Sequence, residues 1–233
     1  MMMRWMCVAV VCAALSACGG GADQRDAAAN ATPQSTQAAP APATVTADNR
    51  ARILIVGTSL TAGYGLDPAD AYPSVLQHIA DSLGVPVRIV NAGLSGETSA
   101  GALRRIDWLL NEPADVVIVE TGANDGLRGL DPDTTAANLR AIVGTVRAKL
   151  RSAKIVIAQM EAPPNLGPVY IHRFHAVFGD VARETHTKLM PFLLDSVAGD
   201  PRLNQGDGIH PNEVGAKIVA RNVWRTLAAL LPK

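Results

Sequence analysis

From residue 52 onward the chain alternates two apolar rhythms, and that alternation limits the fold more than any other feature. Short, mainly apolar β-branched runs occur at 53–56 (Ile-Leu-Ile-Val), 87–90, 116–119 and 154–158, with a weaker one at 189–194. A strand buried on both faces reads this way, because neither face is left to water. Between the runs, apolar residues recur at helical spacing: Leu103, Ile106 and Leu110, then Leu139, Ile142, Val143, Val146 and Leu150, and finally Val214, Ile218, Val219, Val223, Leu227 and Leu230. Each is a stripe able to cover one face of a sheet. Strand alternating with helix predicts βαβ units and a parallel sheet. Right-handed crossovers place helices on both faces. The expected class is α/β, a three-layer α/β/α sandwich around a mainly parallel sheet of about five strands. No internal repeat is apparent.

The N-terminal portion is different in kind. Arg4 followed by a short apolar stretch from Trp5 to Leu15 fits a secretory signal and is too short to span a bilayer. It ends in Leu15-Ser16-Ala17-Cys18, which resembles the lipobox of bacterial lipoproteins. That resemblance implies cleavage after residue 17 and lipidation of Cys18, and several acyl chains together anchor stably where one is marginal. Gly19 is not the aspartate that favours inner-membrane retention, so an outer-membrane anchor facing the periplasm is expected. Residues 19–50, mostly Gly, Ala, Pro, Thr and Gln, bury too little to offset their ordering entropy. As a flexible tether they would span roughly 30 Å. The expected organisation is a signal peptide at 1–17, a lipidated linker at 18–50 and a catalytic domain at 51–233.

Composition removes several function classes. Lys and Arg total 21 and Asp and Glu total 21, so no basic field exists to gather nucleic acid. Aromatics at 4% leave little for base stacking. All three cysteines (Cys7, Cys12, Cys18) precede the folded body, which therefore has neither a disulfide nor a thiolate metal site. A monomer is expected.

In open α/β sheets ligands sit outside the carboxyl ends of the strands. Four small, polar clusters fall there: Gly57-Thr58-Ser59-Leu60-Thr61-Ala62-Gly63, Asn91-Ala92-Gly93 continuing to Glu97-Thr98, Glu120-Thr121-Gly122-Ala123-Asn124-Asp125-Gly126, and Asp207-Gly208-Ile209-His210-Pro211-Asn212. Serine attack on an ester needs a base for the hydroxyl proton, a carboxylate to hold that base, and donors for the oxyanion. Asp207 and His210, three residues apart around Gly208, can pair through imidazole Nδ1 and leave Nε2 for Ser59. The Ser59 and Gly93 backbone N–H groups and the Asn124 amide are candidate oxyanion donors. Asp125 reads as a structural turn residue.

Together these clusters resemble the SGNH, or GDSL, hydrolase superfamily across residues 53 to 231. GYGL, SGET, GANDGLRG and DGIHPN are similar to its thioesterase/lysophospholipase/arylesterase branch. The resemblance implies a flavodoxin-like fold, Ser59 as nucleophile, Gly93 and Asn124 as oxyanion donors, and Asp207 with His210 as the activating pair. It implies an acyl ester, and by extension a thioester or lysophospholipid, as a small-molecule substrate, with no metal or cofactor. One position departs, since Thr58 stands where the family motif carries aspartate.

Competing motifs fit less well. Gly57, Gly63 and Gly65 lack nucleotide-binding spacing, and Thr61 breaks the Gly-x-Ser-x-Gly elbow. His172, His175 and His186 suit a solvated helix face better than a metal. The proline-rich stretch 161–170 reads as a loop beside the site, with Leu166, Val169 and Tyr170 as substrate-binding groups. A carbohydrate O-deacetylase and a non-catalytic binding lipoprotein are the alternatives. Because the imidazole must be neutral to act as base, activity is expected to fall below about pH 6–7.

Overall fold

The computed structural model describes residues 48–231. Cys18, the 1–17 segment and almost all of the 18–50 linker lie outside the described residues. Among the described residues five strands form one parallel sheet in the order β2-β1-β3-β4-β5. They are β1 (Ala51–Gly57), β2 (Val87–Gly93), β3 (Val116–Val119), β4 (Lys154–Ala158) and β5 (Lys188–Met190). Seven α-helices among the described residues connect and flank them: α1 (Ser59–Ala62), α2 (Tyr72–Ser82), α3 (Ser99–Leu109), α4 (Ala123–Leu127), α5 (Pro132–Lys149), α6 (Pro168–Glu184) and α7 (Glu213–Ala228). Helix α2 packs with α7, while α5 packs between α3 and α6. These are the two outer layers of a doubly wound sandwich.

The chain steps from β1 to β2 on one side and then returns past β1 to β3. That reversal makes the β1/β3 boundary the topological switch point, where a crevice opens beyond the strand ends. Ile53, Leu54, Ile55 and Val56 in β1 and all of β3 are buried, as uninterrupted β-branched runs covered on both faces should be. The helical stripes seat as their spacing requires. Leu139, Ile142, Val143 and Val146 are buried, and so are Val219, Val223 and Leu227. Val214 is exposed, because it lies in the first turn of α7 ahead of that helix's buried stripe. Phe174 and Phe178 of α6 meet edge-on at 5.4 Å with both rings fully buried.

Three elements differ from expectation. Strand β2 continues to Gly93 instead of stopping at Val90. It is an edge strand, where a polar residue such as Asn91 is tolerated. Its outer edge is closed by one side chain: Gln77 Nε2 donates to Val87 O at 3.0 Å, and Ile89 N–H donates to Gln77 Oε1 at 2.8 Å. Strand β5 ends at Met190 because Pro191 offers no N–H to a ladder. The stretch 161–170 is not a single loop, since a 3₁₀ turn at Pro164–Leu166 leads into α6, which starts at Pro168.

Candidate active site

Ser59 is the first residue of α1, directly after β1, and it is nearly buried. Its Oγ lies 2.8 Å from Nε2 of His210. Nδ1 of His210 lies 2.6 Å from Asp207 Oδ2. A hydroxyl, an imidazole and a carboxylate separated by up to 151 positions in the chain thus form one continuous hydrogen-bonded line.

Local folding explains the geometry. Asp207 Oδ1 accepts the backbone N–H groups of Ile209 at 2.9 Å and His210 at 3.0 Å, while Gly208 supplies the positive φ of 71° that the turn needs. The second carboxylate oxygen is left for the imidazole. The His210 backbone N–H, the His210 ring and the Ile209 N–H together hold the Asp207 carboxyl down at about 2. Hydrogen bonds to the charged form have that effect. Gln205 fixes the turn from outside, donating to Tyr64 O at 2.7 Å and Pro211 O at 3.0 Å. The Tyr64 ring packs over His210 with centroids 4.7 Å apart. Pro211 sits before the Asn212 N-cap of α7, paired with Asn204.

The oxyanion donors correct one expectation. Gly93 N–H is taken by Asn91 Oδ1 at 2.9 Å, and a Cβ added at Gly93 would lie 2.2 Å from Ala62 N. This glycine lets β2 approach α1 and does not present a free donor. Three residues on, Gly96 has φ +78° and an N–H with no hydrogen-bond partner among the described residues. Its turn is joined to Asn124, whose Nδ2 donates to Glu97 O at 3.0 Å and keeps a second hydrogen for other use. The SGET stretch carried the signal, since a glycine at a loop tip beyond the strand is freer than one at its end. The Ser59 N–H is likewise without a partner among the described residues.

Two buried carboxylates hold these loops. Glu97 accepts from Arg105 Nε at 2.7 Å and Nη2 at 2.6 Å, and Nη2 also reaches Ala92 O at 2.8 Å. Asp125 accepts from Ser99 N–H at 2.8 Å, Ser99 Oγ at 2.5 Å and Thr135 Oγ1 at 3.2 Å. It is structural, as its sequence context suggests.

A cleft of about 410 Å³ opens from Ser59 and Asn124. Its walls are Ala123 and Leu127, the post-β4 residues Met160 to Pro164, then Phe192, Leu194, Ala198, Gly199 and Ile209. Leu166, Val169 and Tyr170 do not line it. Leu166 lies near Gly129, Val169 is 75% exposed, and Tyr170 donates to Leu130 O at 2.7 Å and stacks on Phe174. The helical start at Pro168 turns these side chains away and leaves Met160, Ala162, Pro163 and Pro164 facing the cleft. His172 and His175 are exposed on α6, and His186 lies exposed beyond its end.

A parallel α/β/α sandwich with this Ser–His–Asp line at the carboxyl edge of its sheet defines an ester hydrolase of the serine type. The chain belongs to the GDSL-like lipase/acylhydrolase family, which it matches over residues 55–218. It is 42% identical over 181 residues to the esterase TesA of Pseudomonas aeruginosa, covering 77% of this chain and 89% of that one. It is 37% identical over 180 residues to the thioesterase 1/protease 1/lysophospholipase L1 of Escherichia coli K12, covering 77% and 84%. Among solved structures it resembles the psychrotrophic esterase EstA from Pseudoalteromonas inhibited by monoethylphosphonate. There the identity is 35%, the TM-score 0.73, and the coverage 76% of this chain and 97% of that one.

Proposed function

We propose that Ser59 is the nucleophile of a carboxylic ester hydrolase whose substrates carry an acyl chain, as ester, thioester or lysophospholipid. The observation that carries this reading is the line from Ser59 Oγ through His210 to Asp207, at 2.8 and 2.6 Å. Ser59 Oγ adds to the acyl carbon while its proton passes to His210 Nε2. The tetrahedral oxyanion takes hydrogen bonds from Ser59 N–H, Gly96 N–H and Asn124 Nδ2. Collapse breaks the bond to the leaving group, which receives the proton from His210, and acyl-serine remains. Water, deprotonated by the same imidazole, then releases the acid and restores Ser59. Asp207 stays ionised throughout and holds the ring.

The cleft walls support an acyl chain in preference to a sugar, because Met160, Pro163, Pro164, Phe192, Leu194 and Ile209 offer few hydrogen bonds. In the cell the enzyme acts as a monomer on small molecules, held by lipid on Cys18 to the periplasmic side of the outer membrane. Hydrolysis of a p-nitrophenyl ester series from acetate to decanoate, run beside acetylated sugars, tests the substrate reading. Turnover of the acyl series that disappears in Ser59→Ala is expected. Preference for acetylated sugars, or undiminished turnover in Ser59→Ala, would overturn it.

A further inference from the structure

A third buried acid, besides Glu97 and Asp125, stands beside the nucleophile turn. Glu120 follows β3 at the switch point, is fully buried, and has no cationic partner among the described residues. Its oxygens accept from Thr58 N–H at 2.8 Å, Thr58 Oγ1 at 3.0 Å and Thr61 Oγ1 at 2.6 Å. The Tyr72 hydroxyl, from α2, bonds Thr61 Oγ1 at 2.7 Å. Every direct donor to Glu120 therefore belongs to the turn that carries Ser59, with one residue on each side of it. Gly57 makes the room, since an added Cβ would lie 2.0 Å from Thr61 Oγ1 and 2.5 Å from Glu120 Oε2. A buried carboxyl is costly where an apolar side chain would serve. A four-residue helix such as α1 cannot hold its own geometry.

We propose that Glu120 and Thr58 are positioning residues for the nucleophile, fixing the backbone on both sides of Ser59 so that its Oγ meets His210 Nε2. This rests on Ser59 being the nucleophile. Thr58 is suited to the task because a hydroxyl both donates and accepts, so its bond to Glu120 survives whether or not the acid carries a proton. The aspartate usual in the family motif would instead set two carboxyls side by side, and such a pair holds a shared proton.

The test uses the full chain and a fluorophosphonate probe, with labelling rate, kcat and KM measured for Thr58→Val, Thr58→Ser, Glu120→Gln and Glu120→Leu. Misplacing a reacting group by about 1 Å can cost 10²-fold, so Glu120→Leu should label about 10²-fold more slowly with KM changed less than about twofold. Glu120→Gln keeps one acceptor oxygen and should recover at least about tenfold of that loss. Thr58→Val should label about tenfold more slowly, with most of the rate restored in Thr58→Ser. If Glu120→Leu does not fold, the isosteric Thr58 pair carries the test alone. Folded Thr58→Val and Glu120→Leu labelling at the parental rate would overturn the proposal, as would losses that only track the unfolded fraction. A parental enzyme that the probe does not label would instead defeat the reading of Ser59 itself.

Discussion

Replacing Glu97 by alanine removes the acceptor that holds Arg105, and with it the loop expected to supply one oxyanion donor. Glu97 is 7% exposed and takes two short bonds from a guanidinium that is itself mostly buried. Breaking a buried pair by deleting one partner typically costs about 3–5 kcal/mol. Arg105 keeps its bonds to Ala92 O and, at 3.3 Å, Gly57 O, and it retains some contact with water. The lower end, about 3 kcal/mol, is therefore the expected loss. For a domain of this size that lowers Tm by about 6–12 °C. Glu97 O also anchors Asn124 Nδ2, so kcat should fall by about 10²-fold through the oxyanion site. Calorimetry and ester hydrolysis on the same preparations measure both effects, with Glu97→Gln as the milder comparison. A Tm change under about 3 °C with unchanged kcat would refute the assignment of this pair as the support of the loop.

Asp207→Asn should keep the fold but lower kcat by about 10⁴-fold, because the imidazole loses the acceptor that sets its tautomer. The Asp207 carboxyl sits at about 2, below its ordinary 3.8. The stability it contributes is present above about pH 4 and is lost as pH falls through 2, so loss of activity at pH 5 should not follow Asp207. A kcat profile in which activity lost at pH 5 returns in an Asp207 variant would contradict this. Glu120 runs the opposite way. Burial pushes it from 4.5 to about 7 against the Thr61 and Thr58 bonds, so the folded state gains up to roughly 3 kcal/mol from its protonation below pH 4.5. That contribution is lost as pH rises through 7. Urea unfolding should show the parent losing more stability than Glu120→Gln between pH 5 and 8, and parallel curves would count against it. Ala198→Phe should shift hydrolysis toward shorter acyl chains by filling the cleft, whereas Leu166→Ala with Val169→Ala should leave the chain-length profile unchanged.

The sheet was legible because buried parallel strands cannot hide their composition, and helix stripes such as Leu139 to Val146 cannot hide their period. That Ser59, Asp207 and His210 would meet was legible because small polar clusters gathered at one edge of a sheet have few other uses. Gly93 misled because a sequence shows that a residue is glycine, not whether its N–H is already engaged. Leu166, Val169 and Tyr170 were read as a loop although Pro168 is also a helix-starting signal. Glu120 stood in the third polar cluster without a role of its own, since an acid closing an apolar strand looks like the first solvated residue. Only the fold shows the Thr58, Thr61 and Tyr72 hydroxyls gathered around it.

Mass spectrometry of the chain after fluorophosphonate treatment identifies the nucleophile by its adduct. A single adduct on the peptide containing Ser59 is predicted, absent in Ser59→Ala and slowed at least about 10³-fold in His210→Ala. An adduct on a different residue, or equal labelling with and without the imidazole, would contradict the account.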